Sequence, residues 1–169
     1  MGSNAIIAGA GLIFVIGLID AAISDLRAFR IANRSPLILL AAFVPAAVAA
    51  GLEWQDWLRH LGAGMALLVV GALLFARGIW GGGDAKLLPA AAVWTGFAGM
   101  PRFLMVMALI GGVLAVLALL ARRMPLGPAG PVRAWGERLA EAGHVPYGVA
   151  IAAGGIDWWV TVLIPRLGG

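Results

Sequence analysis

The sequence has no cysteine, a single tyrosine and little charge: only 12% of its 169 residues are Asp, Glu, Lys or Arg. Without cysteine there is no disulfide framework, no thiolate zinc site and no cysteine nucleophile. So little charge, beside 62% hydrophobic residues and a mean hydropathy of +0.98, excludes a water-soluble core of this length. What is left is a membrane protein. The opening Met-Gly-Ser-Asn-Ala lacks the basic start of a secretory leader, and the apolar run behind it outlasts a leader's core, so no cleaved leader is expected.

A helix that crosses a bilayer needs about 20 mostly apolar residues. Runs of this kind fall at roughly 5–24, 36–52, 61–79, 87–100, 102–121 and 146–164. They predict an all-α polytopic bundle of about six transmembrane helices, with 1–169 forming one membrane domain. The fourth run is short, since about 14 residues rising 1.5 Å each fall well below a core ~30 Å thick. Pro89 suits the first turn of a helix, so this span is expected to begin near Leu88 and leave Asp84 on a mobile loop. The 25 glycines, many inside the spans, let helix backbones approach one another closely. The one long connection, roughly 122–145, opens with Pro125, Gly127, Pro128, Gly130 and Pro131. Behind them Trp135, Leu139 and Ala142 follow helical spacing, which predicts a short interfacial helix.

The twelve Lys and Arg are scattered at the ends of apolar runs, so the net charge of +4 argues for membrane anchoring and contact with lipid, with no nucleic-acid partner. With the N-terminus outside, Arg27, Arg30, Arg34, Arg77, Lys86, Arg122, Arg123, Arg133 and Arg138 collect on the cytoplasmic side. Arg59, Arg102 and Arg166 lie on the other. Nine against three predicts N-out and C-out.

Acidic side chains at membrane depth are costly and face polar partners or cavities. Glu53 and Asp56 belong to an outer loop, and Glu137 and Glu141 pair by spacing with Arg133 and Arg138. Asp157 lies among Trp158 and Trp159 in an aromatic belt, where a structural role is favoured. Asp20 is about 7.5 Å deeper than Asp25 along the first helix, and is either a proton relay or a packing group. Asp25 and Asp84 are predicted at one depth on one side. Two carboxylates close together in a poorly solvated site share a single proton, and such a pair performs general acid–base hydrolysis. Gly81, Gly82 and Gly83 before Asp84 permit unusual backbone conformations and close approach of a substrate. The same Gly-Gly-Gly-Asp run also reads as an interhelical turn with a capping Asp.

Ser24-Asp25-Leu-Arg-Ala-Phe-Arg-Ile-Ala-Asn33, Gly81-Gly-Gly-Asp-Ala-Lys-Leu-Leu88 and Val145-Pro-Tyr-Gly-Val-Ala-Ile151 together resemble the short type IV prepilin peptidases, especially those of tight-adherence (Flp) pilus systems. The resemblance implies a cofactor-free aspartic endopeptidase with catalytic Asp25 and Asp84, in the Gly-x-Gly-Asp chemical group. It implies a multi-pass protein of the bacterial inner membrane, its active site facing the cytoplasm. The substrate would be a pilin-like precursor whose basic leader is cut from an N-terminal apolar helix. Ala32 stands where the family often has Pro. With no cysteine pairs, and about ten residues between the first two spans, methyltransferase activity is not expected. Lys86 is either an inside anchor or a charge acting on Asp84, and Tyr147 either a hydrogen-bond donor at the site or an interfacial aromatic. Asn33 is expected to cap or turn the backbone. His60 and His144 have no metal-ligand spacing, so no metal is assigned.

Two other classes compete with this reading. A proton-coupled carrier or channel needs acids strung across the membrane. An assembly factor needs only its glycine-lined helices for docking partners.

Overall fold

The computed structural model describes residues 2–123, 130, 133, 137 and 145–168, and the described residues fold as helices and their connections. In order these are α1 (Gly2–Ala28), α2 (Arg34–Ala49), α3 (Trp54–Ala76), α4 (Asp84–Arg123) and α5 (Tyr147–Trp158). After α5 come a π-helical turn, Trp159–Leu163, and a short α6, Ile164–Gly168. Three helices, Gly2–Ala28, Trp54–Ala76 and Asp84–Leu120, are long and apolar enough to cross a membrane, while Arg34–Ala49 and Tyr147–Leu163 are apolar but shorter. Large apolar side chains face outward along them, with Leu37, Val48 and Leu109 all more than 60% exposed. A bundle with so apolar an exterior is built for lipid as its solvent.

The helix ends follow local chemistry. Gly51 and Gly78 adopt left-handed backbone just past α2 and α3. There the N–H groups of Gly51 and Leu52 return to the carbonyls of Val48 and Ala47, and those of Gly78 and Ile79 to Phe75 and Leu74. Both are Schellman turns, in which glycine avoids the Cβ clash of a positive φ. Asp56, expected in an outer loop, lies instead in the first turn of α3, where a carboxylate complements the helix dipole. It takes a hydrogen bond of 2.9 Å from Arg59.

The fourth and fifth predicted spans are joined differently from the sequence expectation. The break was expected near Pro101, but Pro101 lies inside α4 and the chain turns at Gly96, with φ 60° and ψ −178°. Only glycine adopts that backbone readily. The limb 84–95 packs antiparallel to α3, with Gly64 against Val93 and Gly71 against Ala85. The limb 97–123 returns antiparallel to α5, with Gly99 at Trp158, Phe103 at Gly154 and Gly111 at Tyr147. His60 completes the break: its Nδ1–H donates to the Val93 carbonyl at 2.7 Å. In an unbroken helix that carbonyl would be bonded by Phe97, four residues on.

The limb 84–95 also begins earlier than expected. Ala85 and Leu87 N–H groups bond back to the Gly81 and Gly83 carbonyls, at 3.1 and 2.9 Å, which starts the helix at Asp84 rather than near Leu88. Pro89 is thus inside a helix and costs it one bond, the one to the Ala85 carbonyl. Asp84 is therefore helical and buried.

At the far end of the bundle from Asp84, Phe14 stacks on Trp94 at 4.6 Å and meets the edge of Trp158 at 6.4 Å. The Trp94 indole N–H donates to the Leu39 carbonyl at 2.8 Å, tying α2 to α4. Arg102 grips Asp157 with both Nε and Nη2, at 2.6 and 2.9 Å, and so clamps α4 to α5. Such fork contacts are the strong form of an ion pair. The predicted interfacial helix around Trp135 lies mostly outside the described residues; within it, Arg133 donates to Glu137 at 2.8 Å.

Helix contact through glycine is directly testable. A Cβ at Gly154 would sit 2.7 Å from the Phe103 carbonyl oxygen, while one at Gly112 would meet nothing within 4 Å. Gly154→Ala is expected to lower stability by about 1–3 kcal/mol through overpacking. Gly112→Ala is expected to be neutral or to raise stability by up to ~1 kcal/mol. Thermal unfolding of both variants in detergent checks the contrast.

Candidate active site

Asp25 sits in the last turn of α1, only 5% exposed. Asp84 is the first residue of α4 and is 8% exposed. Fifty-nine residues apart in sequence, the two carboxylates line one cavity of about 220 Å³ with Phe29, Arg30, Ile31 and the three glycines 81–83. They are close enough for the charge of Asp25 to act on Asp84. At roughly 30 Å³ per water, such a cavity admits a few waters or the backbone of an extended peptide.

Glycine backbone lies against each carboxylate. The Gly148 N–H donates to Asp25 Oδ2 at 2.8 Å, inside the protein. Gly148 is the second residue of α5, so this N–H has no partner within its own helix and lies at the positive end of the helix dipole. Pro146 occupies the N-cap and sets the start of that helix. The Gly81 backbone lies against the Asp84 carboxylate, a Cβ on it falling 3.2 Å from Oδ2. The other oxygen, Asp84 Oδ1, is buried with no hydrogen-bond partner among the described residues. A buried acceptor without a donor is uncommon and marks a place for chemistry or for a bound polar group.

The turn after α1 shapes one wall. Phe29 carries a positive φ of 50°, unusual for a residue with a Cβ. Its N–H bonds the Asp25 carbonyl at 2.8 Å, and Ser24 Oγ donates to the Arg30 carbonyl at 2.7 Å. Those two bonds reverse the chain so that Phe29, Arg30 and Ile31 reach the cavity.

The three glycines serve proximity rather than unusual backbone. None of Gly81, Gly82 and Gly83 has a positive φ; in that connection only Gly78 does. Instead, a Cβ on Gly83 would come within 2.9 Å of the Ile31 side chain, and one on Gly81 within 3.2 Å of Asp84 Oδ2. Their lack of a side chain lets the loop lie directly against α1's turn and the carboxylate.

Other residues fall where the sequence did not resolve them. Lys86 is exposed and donates to Asn33 Oδ1 at 3.1 Å, tying the start of α4 to the start of α2. Asn33 stands at the N-cap of α2 but makes no side-chain cap bond; its amide oxygen is taken by Lys86. Tyr147 packs its ring 6.1 Å from that of Trp80 and against Gly111. Asp20 does not line the cavity and forms a long contact with Arg34 at 3.5 Å, with 45% of its side chain exposed. Gly148, which holds Asp25, was not singled out from the sequence. Its sequence signals are its place in the Val145–Ile151 motif and, two residues after Pro146, at the opening of an apolar run, where free N–H groups gather.

The fold and the cavity define a helical membrane protein with two buried carboxylates gathered at one end. Residues 12–116 match the model of the type IV leader peptidase family, and the chain belongs to that family. It is thus a leader-peptidase-like protease of the membrane. No curated protein and no solved structure matches the chain. The matched residues contain both aspartates and end before Gly148.

The turn after α1 depends on the Ser24 bond to Arg30. Ser24→Ala is expected to cost about 1 kcal/mol. A local opening that much easier is about fivefold more populated. Limited trypsin digestion should therefore cut after Arg30 faster in the variant by about that factor, as read by mass spectrometry.

Proposed function

We propose that this chain is an aspartic endopeptidase that removes the leader from type IV, Flp-like, prepilin precursors at the cytoplasmic face of the bacterial inner membrane. The observation that carries the reading is the pairing of Asp25 and Asp84 in one buried cavity of a type IV leader peptidase family member. In the reaction, one carboxylate acts as base and takes a proton from water as the water attacks the scissile carbonyl. The other, protonated, donates to the carbonyl oxygen, and the roles reverse as the amine leaves. The pair shares one proton and titrates as a unit, so the rate is bell-shaped in pH. Gly148 is a positioning residue, its N–H holding Asp25 Oδ2 in a single orientation. The orphan Asp84 Oδ1 is the atom best suited to bind the water or the substrate carbonyl.

The carrier reading finds less support. A relay needs acids in sequence across the membrane, whereas Asp20 meets Arg34 and Asp157 is clamped by Arg102 at the other end from the cavity. The cytoplasmic placement of the cavity rests on loop charge, with Arg27, Arg30, Arg34, Arg77 and Lys86 around the end that carries it.

Co-expression with a tagged prepilin tests the chemistry. Asp25→Asn and Asp84→Asn are each expected to abolish processing, and normal processing in either variant would sink the assignment. Gly148→Ala would push a Cβ to 2.9 Å from Asp25 Oδ2. A shift of this order lowers kcat by about 10²-fold, and KM should be unchanged because the substrate's distant contacts remain.

Orientation has its own test, made simple by the absence of cysteine. Single cysteines at Gly78 and at Gly51 should react oppositely with a membrane-impermeant thiol reagent in intact spheroplasts. Labelling of the Gly51 variant alone is expected if the cavity faces inward.

A further inference from the structure

Larger than the cavity of about 220 Å³ between the aspartates is a groove of about 520 Å³ on the outside of α2, α3 and the limb 84–95. Its walls are almost wholly apolar, and their spacing is regular. From α2 and its N-cap come Asn33, Pro36, Leu37 and Leu40, at positions i, i+3, i+4 and i+7. The same spacing recurs on α3 from Leu61 to Leu68 and on α4 from Lys86 to Val93. Three helices thus turn one heptad-like face each toward a common trough, about 10 Å long by the rise per residue. An acyl chain needs only apolar walls; ridges at helical spacing are what the side chains of another helix interlock with.

The groove adjoins the aspartate cavity, their linings lying two residues apart on two segments of the chain. Ile31 lines the cavity and Asn33, two residues later, lines the groove. Asp84 lines the cavity and Lys86, two residues later, the groove. The Lys86 to Asn33 hydrogen bond marks their junction. Along the rim, Leu37 and Met65 are 64% and 60% exposed, so the trough is uncovered among the described residues.

Resting on the peptidase reading above, we infer that this groove seats the apolar helix of the precursor, with the helix beginning at the Lys86 end and running toward Val93, so that its leader junction enters between Asp25 and Asp84. The groove then selects substrates by their helix, and the aspartates cut whatever peptide that helix delivers.

A photoreactive benzoylphenylalanine placed at Leu37 or Met65 of the full chain in membranes, with Asp84→Asn to prevent turnover, tests the docking. The probe is a tagged precursor with a short basic leader followed by an apolar helix. Crosslinks to it are expected at least about tenfold above those from Ile16 and Leu109, which are exposed elsewhere on the bundle. Equal crosslinking at all four positions, or groove crosslinks to phospholipid alone, would overturn the inference. A second measurement uses Leu37→Trp combined with Met65→Trp, both on the exposed rim. Cleavage of the membrane-bound precursor should fall at least about tenfold, while a soluble peptide spanning only the leader junction is cut at the wild-type rate. An equal fall for both substrates argues against the groove. If the wild-type chain cuts neither substrate, the peptidase reading fails by itself, and the crosslinking pattern still decides the docking.

Discussion

A carboxylate inside an apolar bundle is tolerated only where donors or a polar cavity meet it, and much of this architecture serves that requirement for Asp25. One donor to it is the Gly148 N–H in the first turn of α5, 123 residues away in sequence. For this bond to form, α5 must lie against α1 along its length. Small residues make that possible: Gly148 at the carboxylate, Gly155 against Leu18 and Phe14, and Gly11 against Trp159. A larger residue at any of these contacts would separate the helices and leave the carboxylate without that donor.

The second requirement, bringing Asp84 to the same cavity, is met by α4. Its two limbs meet at Gly96, where positive φ breaks the helix and returns the chain. One limb carries Asp84 at its first residue and the other packs on α5, so a single element links both carboxylates' surroundings. The break leaves Val93 without its helical partner, and the His60 ring answers it. Arg102 and Asp157 then lock the returning limb to α5 near the same end. The remaining acid and base pairs belong to this scaffold, which leaves the cavity with the two aspartates as its carboxylates.

Much of this was legible beforehand. Apolar runs announced a helical membrane protein, and the Gly-Gly-Gly-Asp and Ser-Asp segments, with the third motif, marked the two aspartates. Where the reading went astray, the cause was local. Pro89 suits a helix start because proline lacks an N–H, and Pro101 falls between two apolar runs, yet both lie inside α4. Gly96, in the unremarkable stretch Val93-Trp-Thr-Gly-Phe-Ala, carried no signal that it would turn the chain. Gly81 to Gly83 suggested unusual torsions, whereas their role is close contact with Ile31 and Asp84.

The sequence by itself determined the solvent, the helical class and the identity of two aspartates with their family, because hydropathy and short motifs are properties of contiguous residues. Tertiary structure decided which backbone holds the Asp25 carboxylate. Gly148 reaches Asp25 only because two helices far apart in sequence are packed side by side. It also separated Asp20 and Asp157 from the cavity, by giving each an arginine. A hydrogen bond between distant segments depends on distance and direction in three dimensions, and neither is encoded in residue spacing along one chain.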